Sequence, residues 1–472
     1  DLGSVTSIGN GAFYGCANLE SIRADSATSI GMQAFNNCKK IKTISLKALT
    51  DSKNIPITNS LESLTIGEKT DSKFISNLVK ASSLKELNIP EGNQSLKVEN
   101  SLLLSKDGTE LYYTLRNGET NITIPDTVTA IEKNAFANYS ELTHVSLPNS
   151  LQTIGASAFK DCTGLTEMLI PTGVTTIDST AFSGCSNLKA FTMNGEGETY
   201  RVQNGILLSD GGKAVFMVPP QFSGVFAVPS GVVSIGASAF KNCTGLSGIT
   251  FADSLTTIGA NAFDGCVRLQ TVEIPTSVTT IGSSAFANCK NLEAVTLPQN
   301  LTNIAQSTFM NCTALKTIEL PATLTGIGKS AFDGCLSLES ITLPSALTTI
   351  GDRAFQKSGI TSLTIPESVS SIPASTCQEC AKLETIYIPK TVSAIGSNAF
   401  SATGLKTIYF AGSYDAWANI STNVPASIPV VCYYDAEEIT GDFITAQPQD
   451  QAFTKDDTTA GSKPLSITVT DQ

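Results

Sequence analysis

Apolar residues recur along this chain with a period that no single helix or strand explains. Phe240, Phe263, Phe286, Phe309, Phe332 and Phe355 stand 23 residues apart, and the same alternation surrounds each. Gly236-Ala-Ser-Ala-Phe-Lys-Asn-Cys243, Gly259-Ala-Asn-Ala-Phe-Asp-Gly-Cys266 and Gly282-Ser-Ser-Ala-Phe-Ala-Asn-Cys289 are three successive instances. The frame reads Ile-Gly-x-x-Ala-Phe-x-x-Cys-x-x-Leu-x-x-Ile-x-Leu-Pro-x-x-Leu-Thr-x. A fixed period of 20–50 residues marks a stacked-repeat protein, in which each repeat buries its apolar side only against its neighbours.

Within one repeat the pattern predicts three pieces. Ile341-Thr342-Leu343 alternates with period two and reads as a short strand, ended by Pro344, which has no N–H for a ladder. Leu347 to Ile350 is a second extended piece. Asp352 to Phe355 suits one short helical turn with Ala354 and Phe355 inward. Two residues after the Phe stand Gly15, Asn37, Asn138, Asp161, Gly184, Asn242, Gly265, Asn288, Asn311 and Gly334. These types tolerate positive φ best, which predicts a left-handed residue closing the turn. The Gly after each Ile shares its column with Asp178, Ala305 and Pro373. Proline forces negative φ, so that Gly serves close packing. The predicted fold is a β-rich α/β repeat solenoid with 22–23-residue rungs, a parallel sheet on one face and short helical turns.

Two inserts interrupt the period, near 92–120 and 194–224. In the first, Ser101 to Ser105 and Thr109 to Leu115 flank Asp107-Gly108. In the second, Gly205 to Ser209 and Lys213 to Val218 flank Asp210-Gly211. Apolar runs around Asp-Gly predict β-hairpins replacing the turn of a rung.

The quoted frame resembles the BspA-like leucine-rich repeats of bacterial surface proteins, over roughly residues 1–435. The resemblance implies a curved right-handed solenoid, export from the cell, and adhesion or other protein recognition. It also implies similar inserts and a closing segment at the end of the stack, here a C-terminal cap near 409–435. Residues 436–472 lose the period; Phe443 to Gln449 and Leu465 to Thr470 look like a linker and the first strands of an immunoglobulin-like domain, too short for a whole one. No signal peptide is present, and the chain begins inside a repeat at Asp1. The expectation is an extracellular or cell-surface protein whose natural chain extends further and carries its export signal there.

Composition narrows the partners. Net charge is −12 and no block is rich in Lys or Arg, which argues against nucleic acid and anionic membranes. No apolar run approaches the ~20 residues of a membrane helix, so no insertion into a membrane is expected of this segment. Ten of the twelve cysteines, Cys16, Cys38, Cys162, Cys185, Cys243, Cys266, Cys289, Cys312, Cys335 and Cys380, share one column. They read as buried free thiols, packed as small hydrophobes, not as a disulfide framework. Cys377 and Cys380 match the spacing of zinc and redox motifs, yet both fall on repeat columns. The single histidine, His144, precedes a strand on the solvent face, where a triad or a zinc site lacks its other members. Gly328-Lys329-Ser330 is similar to the end of a phosphate loop whose earlier glycine is Thr323 here. The Asp-Gly pairs suit hairpin turns better than calcium. No cofactor, metal or catalytic residue is therefore expected.

The outward strand positions are the candidate working surface. They run from Arg23, Ser45 and Asn88 through Thr123, Ser146, Thr192, Thr250, Glu273, Thr296, Glu319 and Thr342 to Thr364, with Thr and Ser dominant, then become aromatic at Tyr387 and Tyr409. Tyr387, Tyr409 and Trp417, with Tyr112, Tyr113, Phe216 and Met217 on the inserts, are the predicted contact residues, because exposed aromatics anchor binding. For Trp417 the competing reading is packing of the cap, since Trp usually buries most of its area. The sequence reads as a non-enzymatic recognition module, an adhesin binding host or neighbouring-cell proteins or a glycan. The alternatives are a structural spacer presenting other domains, and a glycan-binding or glycan-active protein, which would show paired carboxylates in a pocket.

Overall fold

A computed structural model describes residues 1–420 and 423–432. The proposed linker and immunoglobulin-like start at 436–472 lie outside the described residues. The chain divides into two units, one of 1–224 with 228–246 and the other of 225–227 with 247 onward. Each is a parallel-strand solenoid, because a 23-residue period returns the same residue type to the same place on the next rung. In the first unit Asn121–Thr123 pairs with His144–Ser146, setting Ile122 against Val145. In the second, Thr271–Glu273 pairs with Ala294–Thr296, setting Val272 against Val295. A second, two-residue ladder follows on most rungs, with Ile131 beside Ile154 beside Ile177 in one unit and Ile304 beside Ile327 beside Ile350 in the other.

Proline does more than end the first strand. Its carbonyl accepts the N–H three residues on, as in Val128 to Pro125 (3.0 Å) and Leu301 to Pro298 (3.1 Å). That turn aims the chain back into the core at the Val or Leu column.

The segment around each Phe is a run of turns in place of a short helix. All ten predicted positions two after the Phe have positive φ, from 58° to 80°. So do Lys357, Glu379 and Ala402 in the same column. A second left-handed column stands two before the Phe, through Gln33, Asn134, Ser157, Ser284, Ser307 and Arg353 among others. Alternating handedness turns every other N–H toward the next rung. Asn134, Phe136 and Asn138 donate to Ala156, Ala158 and Lys160, and Ser284, Phe286 and Asn288 donate to Gln306, Thr308 and Met310. The intervening N–H groups close three-residue turns within the rung. The turn face is thus a third inter-rung ladder, which leaves few buried backbone donors unpaired.

Side-chain columns fill the interior. Phe rings stack nearly parallel, Phe136 on Phe159 at 4.8 Å and Phe263 on Phe286 at 5.1 Å between centroids. The column cysteines are free, and all but Cys16 are buried. Most of their thiols donate to the Phe carbonyl of the preceding rung, Cys185 to Phe159 at 3.0 Å and Cys312 to Phe286 at 3.1 Å, while Cys243, after the second insert, donates to Val218 and Pro219 O. The column is therefore a ladder of weak donors as well as packing. Tyr139 and Ser358 occupy it where Cys is missing; the Tyr139 hydroxyl donates to Glu119 O at 2.6 Å. The Gly after each Ile is there for approach: a Cβ on Gly282 would lie 2.5 Å from Ala260 N, and on Gly351 2.3 Å from Lys329 N.

Each insert is an antiparallel three-stranded meander. Leu96–Glu99, Leu102–Ser105 and Glu110–Thr114 form the first, Arg201–Gln203, Ile206–Ser209 and Ala214–Met217 the second. The last strand of each rejoins the stack in parallel, Leu111 beside Ile131 and Val215 beside Ile235. The hairpin thereby takes the place of a rung's second strand, which keeps the ladder unbroken.

Candidate functional site

The outward row is exposed along most of its length, including Arg23, Thr123, Ser146, Thr192, Thr250, Thr296, Thr342 and Thr364. Leu169 belongs to the same row, is 36% exposed, and was not singled out from the sequence. At most rungs the inward residues flanking the outward one are buried, so the backbone alternation fixes the row's direction. At its far end Ser362–Thr364, Thr385–Pro389, Thr407–Ala411 and Val430–Cys432 form one parallel sheet. Thr364, Tyr387, Tyr409 and Val431 are neighbours in register. The rings of Tyr387 and Tyr409 stack at 4.9 Å with 10° between planes. Both are half-buried, and burial, with Tyr409 alongside, pushes the Tyr387 hydroxyl above its ordinary value. Two rings locked against each other on adjacent strands make a rigid apolar step in a row where Thr and Ser dominate.

The structure turns two of the seven predicted contact residues inward. Trp417 lies on the helix Tyr414–Ile420, is 6% exposed, and packs against Phe410 with centroids 5.3 Å apart. It covers the end of the core. Tyr113 is 2% exposed, and its hydroxyl donates to Ala81 O at 2.6 Å. Its hairpin partner strand carries Leu102, Leu103 and Leu104, all buried, so that hairpin is covered on both faces. Tyr112 is half-buried with its hydroxyl on the Glu110 carboxylate. Phe216 meets Tyr200 edge-on at 5.2 Å, and Phe216 and Met217 pack against the first unit's core while staying partly accessible.

Arg116 carried no signal in the sequence. Its guanidinium lies 4.2 Å from the Tyr139 ring centroid and 5.6 Å from that of Tyr113. One nitrogen donates to Ala137 O; Nε and Nη1 have no hydrogen-bond partner among the described residues. The aromatic faces offset part of that burial, and the arrangement pins the first hairpin to the following rung.

The other chemical candidates resolve into repeat geometry. Cys377 and Cys380 are buried, and Cys380 donates to Phe355 O at 2.9 Å like most of its column. His144 is exposed at the start of its strand. Ser330 is one of the left-handed rung positions, with its N–H on Asp352 O. The Asp107 carboxylate accepts from the Ser105 hydroxyl (2.7 Å) and from the N–H and hydroxyl of Thr109, bonds that hold its pKa at about 2. Among the described residues no three His, Cys, Asp or Glu side chains gather around a metal position, and no helix is long and apolar enough to cross a membrane.

A family model, the BspA type leucine-rich repeat region, matches residues 2–101, 110–203, 221–325 and 302–422. Its gaps fall on the two inserts. No curated protein matches. Among solved structures, the chain is similar to a leucine-rich repeat protein from Eubacterium ventriosum (20% identity, TM-score 0.47, 74% of this chain and 84% of that one). It is also similar to a leucine-rich cell surface protein from Faecalibacterium prausnitzii (26%, 0.38, 89% and 87%). A third is a leucine-rich repeat protein from Bacteroides ovatus (22%, 0.35, 91% and 88%). The Phe and Cys columns, the inter-rung ladders and a family match spanning most of the chain converge, and the chain belongs to the BspA-type leucine-rich repeat family.

Proposed function

We propose that this chain is a non-enzymatic recognition module, displayed at a bacterial cell surface or secreted, that binds a protein partner through its outward strand row. The observation that carries this reading is the Tyr387–Tyr409 stack. It stands in a row where Thr and Ser dominate, and an aromatic ring offers 150–250 Å² of contact area that Thr cannot. Because the rings hold each other, little side-chain freedom is lost on binding. Tyr112, Phe216 and Met217 on the inserts are secondary contacts of the same kind. An adhesin engaging host or neighbouring-cell proteins fits this surface.

The test is a binding screen of the protein against an array of matrix proteins and mucins, followed by Tyr387→Ser and Tyr409→Ser. Each substitution should weaken the identified partner by about tenfold or more, ~1.4 kcal/mol, with the thermal midpoint little changed. Unchanged affinity in both variants would remove the tyrosine step from the interface. No partner in any screen would favour a spacer.

A further inference from the structure

The two inserts are built on one plan, and the equivalent residues differ by 104 in number: Lys97 and Arg201, Glu99 and Gln203, Asp107 and Gly211, Thr109 and Lys213, Asp126 and Ser230. Beside the second insert lies a cavity of about 450 Å³, within the ~300–1,000 Å³ range of small-molecule sites. Charges on its wall are those of Arg201, Lys213 and Glu196. At the same positions the first insert carries one cation, Lys97, and four carboxylates, Glu91, Glu99, Asp107 and Asp126. The first insert also satisfies itself. Lys97 pairs with Glu99 at 3.2 Å, Asp107 is saturated by its own turn, and the Thr127 hydroxyl donates to Gly108 O.

The second insert leaves its groups available. Among the described residues Lys213 has no ion-pair partner, and the Gln203 amide and Ser230 hydroxyl have no hydrogen-bond partner. Arg201 reaches only the highly exposed Glu196, at 3.6 Å. Gly195 (φ 111°) and Gly212 (φ 95°) hold backbone that side-chain-bearing residues rarely adopt, which keeps the wall bare for close approach. Leu208 and Val202 supply an apolar patch, and no aromatic residue lines the cavity.

From this contrast we propose that the second insert holds a binding site for a sugar acid, a carboxylate-bearing monosaccharide unit of a glycan. The two cations take the carboxylate, as charge-assisted donors. Gln203, Ser230 and the Glu196 carboxylate suit hydroxyl groups, which both donate and accept. Glu196 also disfavours ligands of higher negative charge such as sulfated or phosphorylated groups. A peptide would lack the apolar anchor pocket that such interfaces use. This site shares no residue with the tyrosine row and does not rest on it.

The experiment is a calorimetric or saturation-transfer titration of the protein with D-glucuronate and N-acetylneuraminate, against D-glucose, acetate and an acidic peptide. Expected is binding of a sugar acid that weakens as salt rises. Lys213→Thr and Gln203→Glu install the residues that the first insert carries at these positions. Each should weaken binding at least about tenfold while the thermal midpoint holds. Equal binding of glucose, acetate or the peptide would overturn the proposed ligand class. No binding of either sugar acid, or binding unaffected by both substitutions, would overturn the site.

Discussion

Thiol reactivity is the sharpest check on the stacked columns. Burial pushes Cys162 and Cys243 up to about 12 from the ordinary 9.0, and raises Cys185, Cys289, Cys312 and Cys335 as well. Only the thiolate attacks a disulfide reagent. At pH 8 a thiol of pKa 9.0 is about one-tenth ionised; at about 12 the fraction is about one in ten thousand, a ~1,000-fold loss before any steric protection. Cys16 is exposed and Cys432 half-buried, with burial holding the latter at about 11. Native labelling with an aromatic disulfide reagent should therefore show one fast thiol, one slower by roughly a hundredfold, and ten that wait for the rungs to open. Denaturation should release all twelve. The rates of Cys162, Cys185, Cys243, Cys289, Cys312 and Cys335 should climb with pH, since burial raises their folded-state ionisation above the assay range. Reaction of Cys162 or Cys243 within tenfold of Cys16, mapped by mass spectrometry, would refute the buried column. Fewer than twelve thiols after denaturation would refute the absence of disulfides.

Three further outcomes are expected. Phe286→Ala, at a fully buried ring stacked on both sides, should cost about 3–5 kcal/mol in denaturant unfolding; a loss below about 1 would mean the ring column does not bear on stability. Gly282→Ala should cost about 1–3 kcal/mol because the added methyl meets backbone, whereas Ala305→Gly, in the same column, should change stability far less. Burial alone would raise Asp71, but bonds from Lys73 and Ser52 outweigh it and hold the carboxyl at about 2, against an ordinary 3.8. That stabilisation is present above about 3.8 and fades as pH falls toward 2. Asp71→Asn should then lose about 1 kcal/mol at pH 7, after discounting for solvent, and lose nothing near pH 2.

The period made most of the fold legible. A 23-residue return of Phe, Cys, Leu and Ile fixes which positions stack, and the Gly, Asn and Asp after each Phe announced the left-handed residue found there. The second left-handed column was hidden because Ser157, Ser284, Gln33 and Arg353 carry no such signature. They accept positive φ because the inter-rung bonds over-determine it. The thiol donors were hidden for a related reason: a buried Cys looks the same in sequence whether or not its S–H has a target. Tyr113 misled because alternation assigns faces only when one face is wet, and the Leu102-Leu103-Leu104 strand beside it is buried on both. The cavity at the second insert lay in a comparison the repeat makes possible, between two inserts at a constant offset.

Where a stacked protein can specialise follows from the same geometry. An inward residue touches the rung before and the rung after, so a change there is felt twice, and the column drifts toward one residue type. An outward residue touches little, so it is free to vary, yet a single Thr or Ser offers a partner almost nothing. Distinct chemistry then has two routes. One is to place large residues at the same outward position on successive rungs, so that register alone brings them together, as with Tyr387 and Tyr409. The other is to lengthen a rung, so that loops from three separate stretches surround a space, as Gly195, Lys213 and Ser230 do. The first route yields a flat step suited to a protein surface, the second a concavity suited to a small polar group. The first insert has the same three-stranded meander without the open wall: of its turn only Gly108 is left-handed, where Asp210, Gly211 and Gly212 all are, and Glu99 and Asp107 stand where Gln203 and Gly211 carry no charge. Exchange of those side chains together with the turn that carries them is therefore the change that should move a binding function from one insert to the other.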